Sequence, residues 1–265
     1  MTMDAATENM EEARRLAAKV LSRIRAARPP VLSLTNTVSQ AFTANALLAA
    51  GASPIMLADE WEAEELLRNG CGGLLVNVGT VSAAQACTMT TAARTAQECN
   101  VPWVLDPVAA GLLSFRTSFC RELLKFRPAI IRGNPSEILA LSGEPSTTRG
   151  TESTVPANAA VDAAIRLARQ TQAVVLVTGE VDYVTCGADV RALRTGHPLM
   201  ARVTGTGCAL GALCAACLPC SANTLEAALA AACIMGDAGL RAASRATAPG
   251  SFATALLDEL AADLG

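Results

Sequence analysis

Along most of the chain, short unbroken apolar runs trade places with longer stretches in which apolar residues recur every three or four positions. The runs Val31–Leu34, Gly73–Val78, Pro102–Leu105, Ala129–Ile131 and Ala173–Val177 show no alternation. A strand apolar on both sides belongs in a parallel sheet covered by helices on both faces. Ser53–Met56 reads as one more short strand. Between the runs the pattern predicts helices over Ser39–Ala50, Trp61–Asn69, Ser82–Cys99, Phe119–Phe126, Pro135–Leu141 and Val155–Arg169. Gly51 and Gly70 end the first two, and Pro135 suits a first helical turn. Tyr183–Thr185 and Val190–Leu193 read as a hairpin around Gly187, forming an antiparallel edge. Gly205 opens a long helical region running to about Ala243, and Phe252–Leu264 reads as a last amphipathic helix. Gly143–Thr154, rich in Ser, Thr, Gly, Pro and Glu, is the longest predicted loop.

This alternation predicts an α/β layer sandwich with a mostly parallel sheet. No composition break resembles a linker, so residues 1–265 read as one domain, with 1–28 as an N-terminal helical extension. Ligands of such sheets bind beyond the carboxyl ends of the strands. That rule singles out Asn36, Met56, Gly79, Asp106, Arg132 to Asn134, and Thr178.

Composition narrows the function. Of 265 residues 51% are hydrophobic but only 3% aromatic, so the core must be built from Ala, Val, Leu and Ile. Charged residues are 17%, low enough to suggest a surface buried against another chain. The formal net charge is −3 and the only lysines are Lys19 and Lys125, which leaves no basic footprint for nucleic acid. Val203–Leu225 carries no charge, but its Gly, Thr, Ser, Asn and Pro content argues against a membrane span. The ten cysteines, without a leader-like start, predict free thiols in a reducing cytoplasm.

The Gly-rich segment Thr204-Gly205-Thr206-Gly207-Cys208-Ala209-Leu210-Gly211 sits at a predicted helix start. It is either an amide cradle for an anion or a close-packing device. Leu210 spoils the dinucleotide fingerprint, and neither lysine makes a P-loop. Cys208 is either a thiol activated by the helix terminus or a small core residue. Asp106 ends a buried strand, where it either meets a cation or substrate or turns the chain. Asn134 and Glu137 have capping-box spacing, and Glu137 could instead approach a metal–phosphate cluster with Arg132 on a phosphate. The run Cys214, Cys217, Cys220 has no second pair for zinc and reads as helix packing. His197, the only histidine, lies between Gly196 and Pro198 and reads as a loop residue.

Taken together, several segments resemble the hydroxyethylthiazole kinase family. They are Asn36…Gln40…Ala44-Asn45…Ala50-Gly51-Ala52-Ser53-Pro54-Ile55-Met56, Val76-Asn77-Val78-Gly79-Thr80, Trp103-Val104-Leu105-Asp106-Pro107-Val108, Ile131-Arg132-Gly133-Asn134, Val177-Thr178-Gly179-Glu180-Val181-Asp182 and Thr204-Gly205-Thr206-Gly207-Cys208. Their order fits over about residues 31–245. The resemblance implies a ribokinase-like three-layer fold and transfer of the ATP γ-phosphoryl group to the primary hydroxyl of 4-methyl-5-(2-hydroxyethyl)thiazole. It also implies Mg²⁺ and a homotrimer with active sites between subunits. By motif, Met56 matches the thiazole contact, Arg132 and Thr178 the ATP contacts, and Gly205 a substrate-contacting backbone. Asp106 and Glu137 match the acidic residues near metal and phosphates, and Cys208 stands where related sugar kinases carry a catalytic Asp. The expected site adds Asn36 on the substrate side, Asn134 on the ATP side, and Thr206 and Gly207 in the cradle. Pro135 replaces a more usual Ala, Cys186 a common Asp, and the segments 143–154 and beyond Ala246 match weakly. Rival readings are a same-fold kinase for the thiamine pyrimidine alcohol, a non-catalytic nucleotide or thiazole binder, and a metal-binding or redox thiol protein.

Overall fold

The computed structural model describes residues 6–7, 9–144, 148–149, 152–153 and 155–263. In chain order its elements are β1 (Ala6–Thr7), α1 (Met10–Ala27), β2 (Pro30–Leu34), α2 (Gln40–Ala50), β3 (Ser53–Ile55), α3 (Glu60–Asn69), β4 (Gly73–Asn77), α4 (Ala83–Glu98), β5 (Trp103–Asp106), α5 (Ser114–Leu123) and β6 (Ile130–Gly133). There follow α6 (Pro135–Leu141), β7 (Thr148–Arg149), β8 (Glu152–Ser153), α7 (Val161–Thr171), β9 (Val174–Val177), β10 (Asp182–Thr185), β11 (Val190–Leu193), α8 (Thr206–Cys217), α9 (Thr224–Arg245) and α10 (Pro249–Ala261).

A nine-stranded sheet has the order β1-β11-β10-β9-β6-β5-β4-β2-β3. Its pairings are parallel except the two made by β10. The apolar runs explain why. Successive residues of a strand point to opposite faces, so each run must be apolar on both. Leu75, Val104, Ile130, Val174 and Leu176 join one core with α1, α2, α8, α9 and α10. Their neighbours Leu74, Val76, Trp103, Leu105, Ile131, Val175 and Val177 join the other, with α3 to α7. Three layers result, as the sequence pattern requires.

The first helical layer is rich in alanine, and small residues bring it close to the sheet. A Cβ added at Gly73 would meet the Ala215 carbonyl oxygen at 2.4 Å, and one at Gly211 would meet Leu75 Cδ1 at 3.1 Å. Helix α8 therefore lies directly on β4. Helix α1 is built into this layer: Ala13, Ala17, Val20, Leu21 and Ile24 are buried, and Arg14 reaches Asp237 of α9 at 2.8 Å.

Several predicted elements are corrected. The long helical region from Gly205 is broken: α8 stops at Cys217, a single 3₁₀ turn covers Leu218–Cys220, and α9 begins anew. Pro219 lacks the N–H that would continue α8, and Asn223 caps α9 by accepting from the Glu226 N–H at 2.9 Å. The hairpin is not the outermost part of the sheet, because β1 pairs parallel to β11 outside it. The helix predicted over Phe119–Phe126 begins earlier, at Ser114, and finishes as a 3₁₀ turn. The last helix begins at Pro249, where a proline suits the first turn, and ends at Ala261; Leu264 lies outside the described residues. Half of the loop predicted over Gly143–Thr154 also lies outside them, and its short strands β7 and β8 pair antiparallel. Among the described residues no helix is long and apolar enough to cross a membrane.

Candidate functional site

The strands β9, β6, β5, β4 and β2 are neighbours in the sheet, and each delivers one polar side chain at its carboxyl end. Thr178 follows β9, Arg132 lies in β6, Asp106 ends β5, Asn77 ends β4, and Asn36 follows β2. These side chains form a continuous row. Arg132 Nη2 donates to Thr178 Oγ1 at 3.0 Å, and Arg132 Nη1 lies 3.6 Å from Asp106 Oδ1. Asn77 Nδ2 donates to Asp106 Oδ2 at 2.5 Å, and Asn36 Nδ2 donates to Asn77 Oδ1 at 3.0 Å. Asn36 Nδ2 also donates to Cys208 Sγ at 3.2 Å, which ties the row to α8.

The start of α8 lies over this row. Gly205 is its N-cap at φ +97°, a conformation that favours glycine, and no side chain caps the helix. The first-turn amides are thus left to face an anion. A Cβ at Gly205 would meet Ser39 Cβ at 2.9 Å, and one at Gly207 would meet the Arg132 guanidinium at 2.7 Å. The cradle glycines are therefore required by close approach as well as by amide exposure. Thr206 contributes only its backbone to the cradle face: its hydroxyl donates to the carbonyls of Met200 and Val203, at 2.9 and 3.2 Å.

The row is incompletely satisfied. Asp106 is fully buried, yet its Oδ1 has no hydrogen-bond partner, and neither has Arg132 Nε. Burial pushes the Asp106 carboxyl above the usual range, against the pull of Arg132 and Asn77. Glu137 is also buried. Its Oε1 accepts from the Ala109 N–H at 3.0 Å and its Oε2 from the Asn134 N–H at 2.8 Å. Asn134 returns the bond by accepting from the Glu137 N–H at 3.0 Å, so the capping box is real. Burial, then repulsion from Asp106, pushes Glu137 up to about 7.

Cys208 corrects one expectation. A helix N-terminus should lower its thiol pKa, but burial and the nearby Asp106 charge raise it, and Ser39, Arg132 and Asn36 only moderate the rise.

Other sequence candidates fall elsewhere. Met56 follows edge strand β3 and is half-buried, with no hydrogen bond or ring contact to the row. His197 stands outside the row, where its Nδ1 accepts from the Leu199 N–H at 3.3 Å. Cys214, Cys217 and Cys220 are buried, and among the described residues no three His, Cys, Asp or Glu side chains gather as a metal site. A surface cavity of about 490 Å³ on α3, lined by Trp61, Glu64, Glu65, Arg68 and Asn69, holds none of the row. Two members of the site were not singled out from sequence. Asn77 was signalled by being the only polar residue in the buried run Gly73–Val78. Ser39, read only as a helix start, donates through N and Oγ to Asn36 Oδ1, both at 3.0 Å.

Comparison with known proteins agrees with this geometry. The family model described as the hydroxyethylthiazole kinase family matches residues 21–263. A hydroxyethylthiazole kinase of Akkermansia muciniphila is 53% identical over 240 residues, covering 91% of this chain and 89% of the relative. The solved structure of a hydroxyethylthiazole kinase from Pyrococcus horikoshii superposes with a TM-score of 0.85 at 38% identity, covering 93% of both chains. A pyridoxal kinase of Bacillus subtilis, solved as an ADP complex, shares the fold alone, with a TM-score of 0.60 at 17% identity over 78% of this chain and 90% of that one. The fold is thus the three-layer ribokinase-like one, and with the match extending across both helical layers and the whole polar row, the chain belongs to the hydroxyethylthiazole kinase family.

Proposed function

We propose that this chain transfers the γ-phosphoryl group of ATP to the primary hydroxyl of 4-methyl-5-(2-hydroxyethyl)thiazole, giving the thiazole phosphate used in thiamine synthesis. The family supports the reaction. The observation that carries the site is the buried row from Thr178 to Asn36 beneath the uncapped start of α8. Phosphoryl transfer is mainly positioning and charge stabilisation, and this arrangement supplies both.

The amides of Gly205 to Cys208 would hold the migrating group as an oxyanion hole does. Arg132 and Thr178 bind the nucleotide phosphates, with Asn134 beside them. Met56 lays a flexible thioether against the thiazole ring. Asn36 and Cys208 face the substrate hydroxyl; Cys208 orients it, and in its thiolate form it would take the proton late. In a loose transition state such base catalysis contributes at most about 10²–10⁴-fold.

A divalent cation fits the acidic end of the row. Asp106 Oδ1 is buried without a hydrogen-bond partner, and Glu137 keeps lone pairs beyond its two backbone bonds. Asp106 and Glu137 would hold Mg²⁺, which takes few protein oxygens. When bound it would neutralise polyphosphate charge.

The same reading includes a homotrimer in a reducing cytoplasm. Met56 follows the outermost strand β3, a position from which a second subunit could complete the thiazole pocket. The low charged fraction and the cysteines without disulfides support this.

The test is ADP release from Mg²⁺–ATP with the thiazole alcohol, beside the thiamine pyrimidine alcohol and a blank. Thiazole-dependent turnover is expected. Turnover with the pyrimidine alone would overturn the substrate, and silence from a folded, ATP-binding protein would make it a binder.

A further inference from the structure

The two amides in the row have fixed orientations. The Gly79 N–H can only donate, and it meets Asn77 Oδ1 at 3.0 Å. Asn77 Nδ2 is thereby turned to Asp106 Oδ2, at 2.5 Å. At the other end the Ser39 N–H donates to Asn36 Oδ1 at 3.0 Å. Asn36 Nδ2 is left to donate both to Asn77 Oδ1 and to Cys208 Sγ, at 3.0 and 3.2 Å. Flipping either amide would set donor against donor, so each backbone N–H locks its end.

Asn77 is fully buried in the sheet, and its two side-chain atoms are bonded only to the row and to Gly79. We propose that Asn77 is a positioning residue for phosphoryl transfer: its Oδ1 aligns the Asn36 amide so that Cys208 Sγ is held as a hydrogen-bond acceptor, while its Nδ2 occupies Asp106 Oδ2 and leaves Oδ1 without a hydrogen bond, facing Arg132. This rests on the phosphotransfer reading above. A buried amide used on both atoms is costly to disturb, because each loss orphans a partner. A donor held on Sγ also favours the thiolate over the thiol.

Asn77→Ser separates this role from a merely structural one. The serine hydroxyl can still take the Gly79 N–H, but it is too short to bridge Asp106 and Asn36. The variant is made with Cys208 present and in the Cys208→Ala background, and kcat is measured with Mg²⁺–ATP and the thiazole alcohol. The expected loss is about tenfold with Cys208 and less than about threefold without it, the non-additivity of residues acting as one unit. Equal losses in the two backgrounds overturn the proposal. If Asn77→Ser fails to fold, as judged by thermal melting, Asn77→Thr, whose hydroxyl also takes the Gly79 N–H and whose methyl fills more of the space, carries the same cycle.

A second readout needs no turnover. Iodoacetamide labelling of Cys208, followed by peptide mass spectrometry, should slow several-fold in Asn77→Ser, while the exposed Cys87 and Cys186 label at their wild-type rates. Unchanged Cys208 labelling overturns the proposal even where kcat falls. Absence of thiazole turnover in the unmodified chain would instead overturn the functional reading, and the labelling result would still decide the role of Asn77.

Discussion

Two arginine–carboxylate clusters in this molecule are built to opposite specifications. Between α9 and α10, Glu259 accepts from Arg241 Nε at 2.8 Å and from Arg245 Nη1 at 2.7 Å, and Arg241 also takes the Glu259 carbonyl at 2.9 Å. Both carboxylate oxygens are occupied, and the two arginines hold Glu259 below the usual carboxylate range. At the sheet end, Arg132 stands 3.6 Å from Asp106, and each keeps a buried polar atom without a hydrogen-bond partner. Here burial pushes the carboxyls up rather than down. A cluster that only fastens helices can be saturated. One that must receive charge from outside has to keep capacity in reserve, and it loses stability for doing so.

The sharpest way to break this contrast is Asp106→Asn. Thiazole-dependent turnover should fall about 10²–10³-fold, the scale for losing a group that stabilises developing charge. The melting temperature should hold or rise, because an incompletely paired buried carboxylate is removed. A large drop in melting temperature would make Asp106 a fastener like Glu259.

Next in size is the pH dependence of stability. Glu137 has a folded pKa of about 7, raised from its ordinary 4.5. Its contribution is therefore fully present below about 4.5 and lost as pH rises through about 7. Melting curves of the native chain should show this decline, and Glu137→Gln should flatten it. Glu259, with a lowered pKa, behaves oppositely: its contribution is present above its ordinary 4.5 and lost as pH falls through its folded value.

A smaller effect is expected at Cys208. Cys208→Ala should slow kcat about tenfold to a hundredfold without abolishing it, and Cys208→Asp should stay active. Steady-state kinetics with intact ATP binding decide this, and complete loss in both variants would exclude a merely assisting thiol. The smallest effect belongs to the saturated cluster. Glu259→Gln should cost about 1 kcal/mol of stability in denaturant titration and leave kcat unchanged.

The same division explains what could be read from the sequence. Asp106, Arg132 and Thr178 stand at or just beyond the ends of unbroken apolar runs, so strand topology alone brings them together. Gly205 and Gly207 mark the cradle because only glycine tolerates that φ or that proximity to Arg132. Asn77 was hidden inside an apolar run, where its partners 41 and 29 residues away decide its meaning. Helix position alone points the Cys208 thiol pKa down, whereas the burial and the Asp106 charge that the fold brings to it point it up. Pro219 and Asn223 did announce the break between α8 and α9, but the apolar continuity of the segment outweighed them.

The anchoring of α1 has a consequence for synthesis. Arg14 finds its partner 223 positions later, at Asp237. At a ribosomal rate of about 5–20 residues per second, α1 waits roughly 10–45 seconds before the helix it lies along has been made. Throughout that interval the stripe from Ala13 to Ile24 has only the early-made α2 beside it and lacks the α9 surface that covers most of it. Helix α1 thus completes its docking only after α9 is made, and until then the nascent chain carries a partly uncovered apolar stripe.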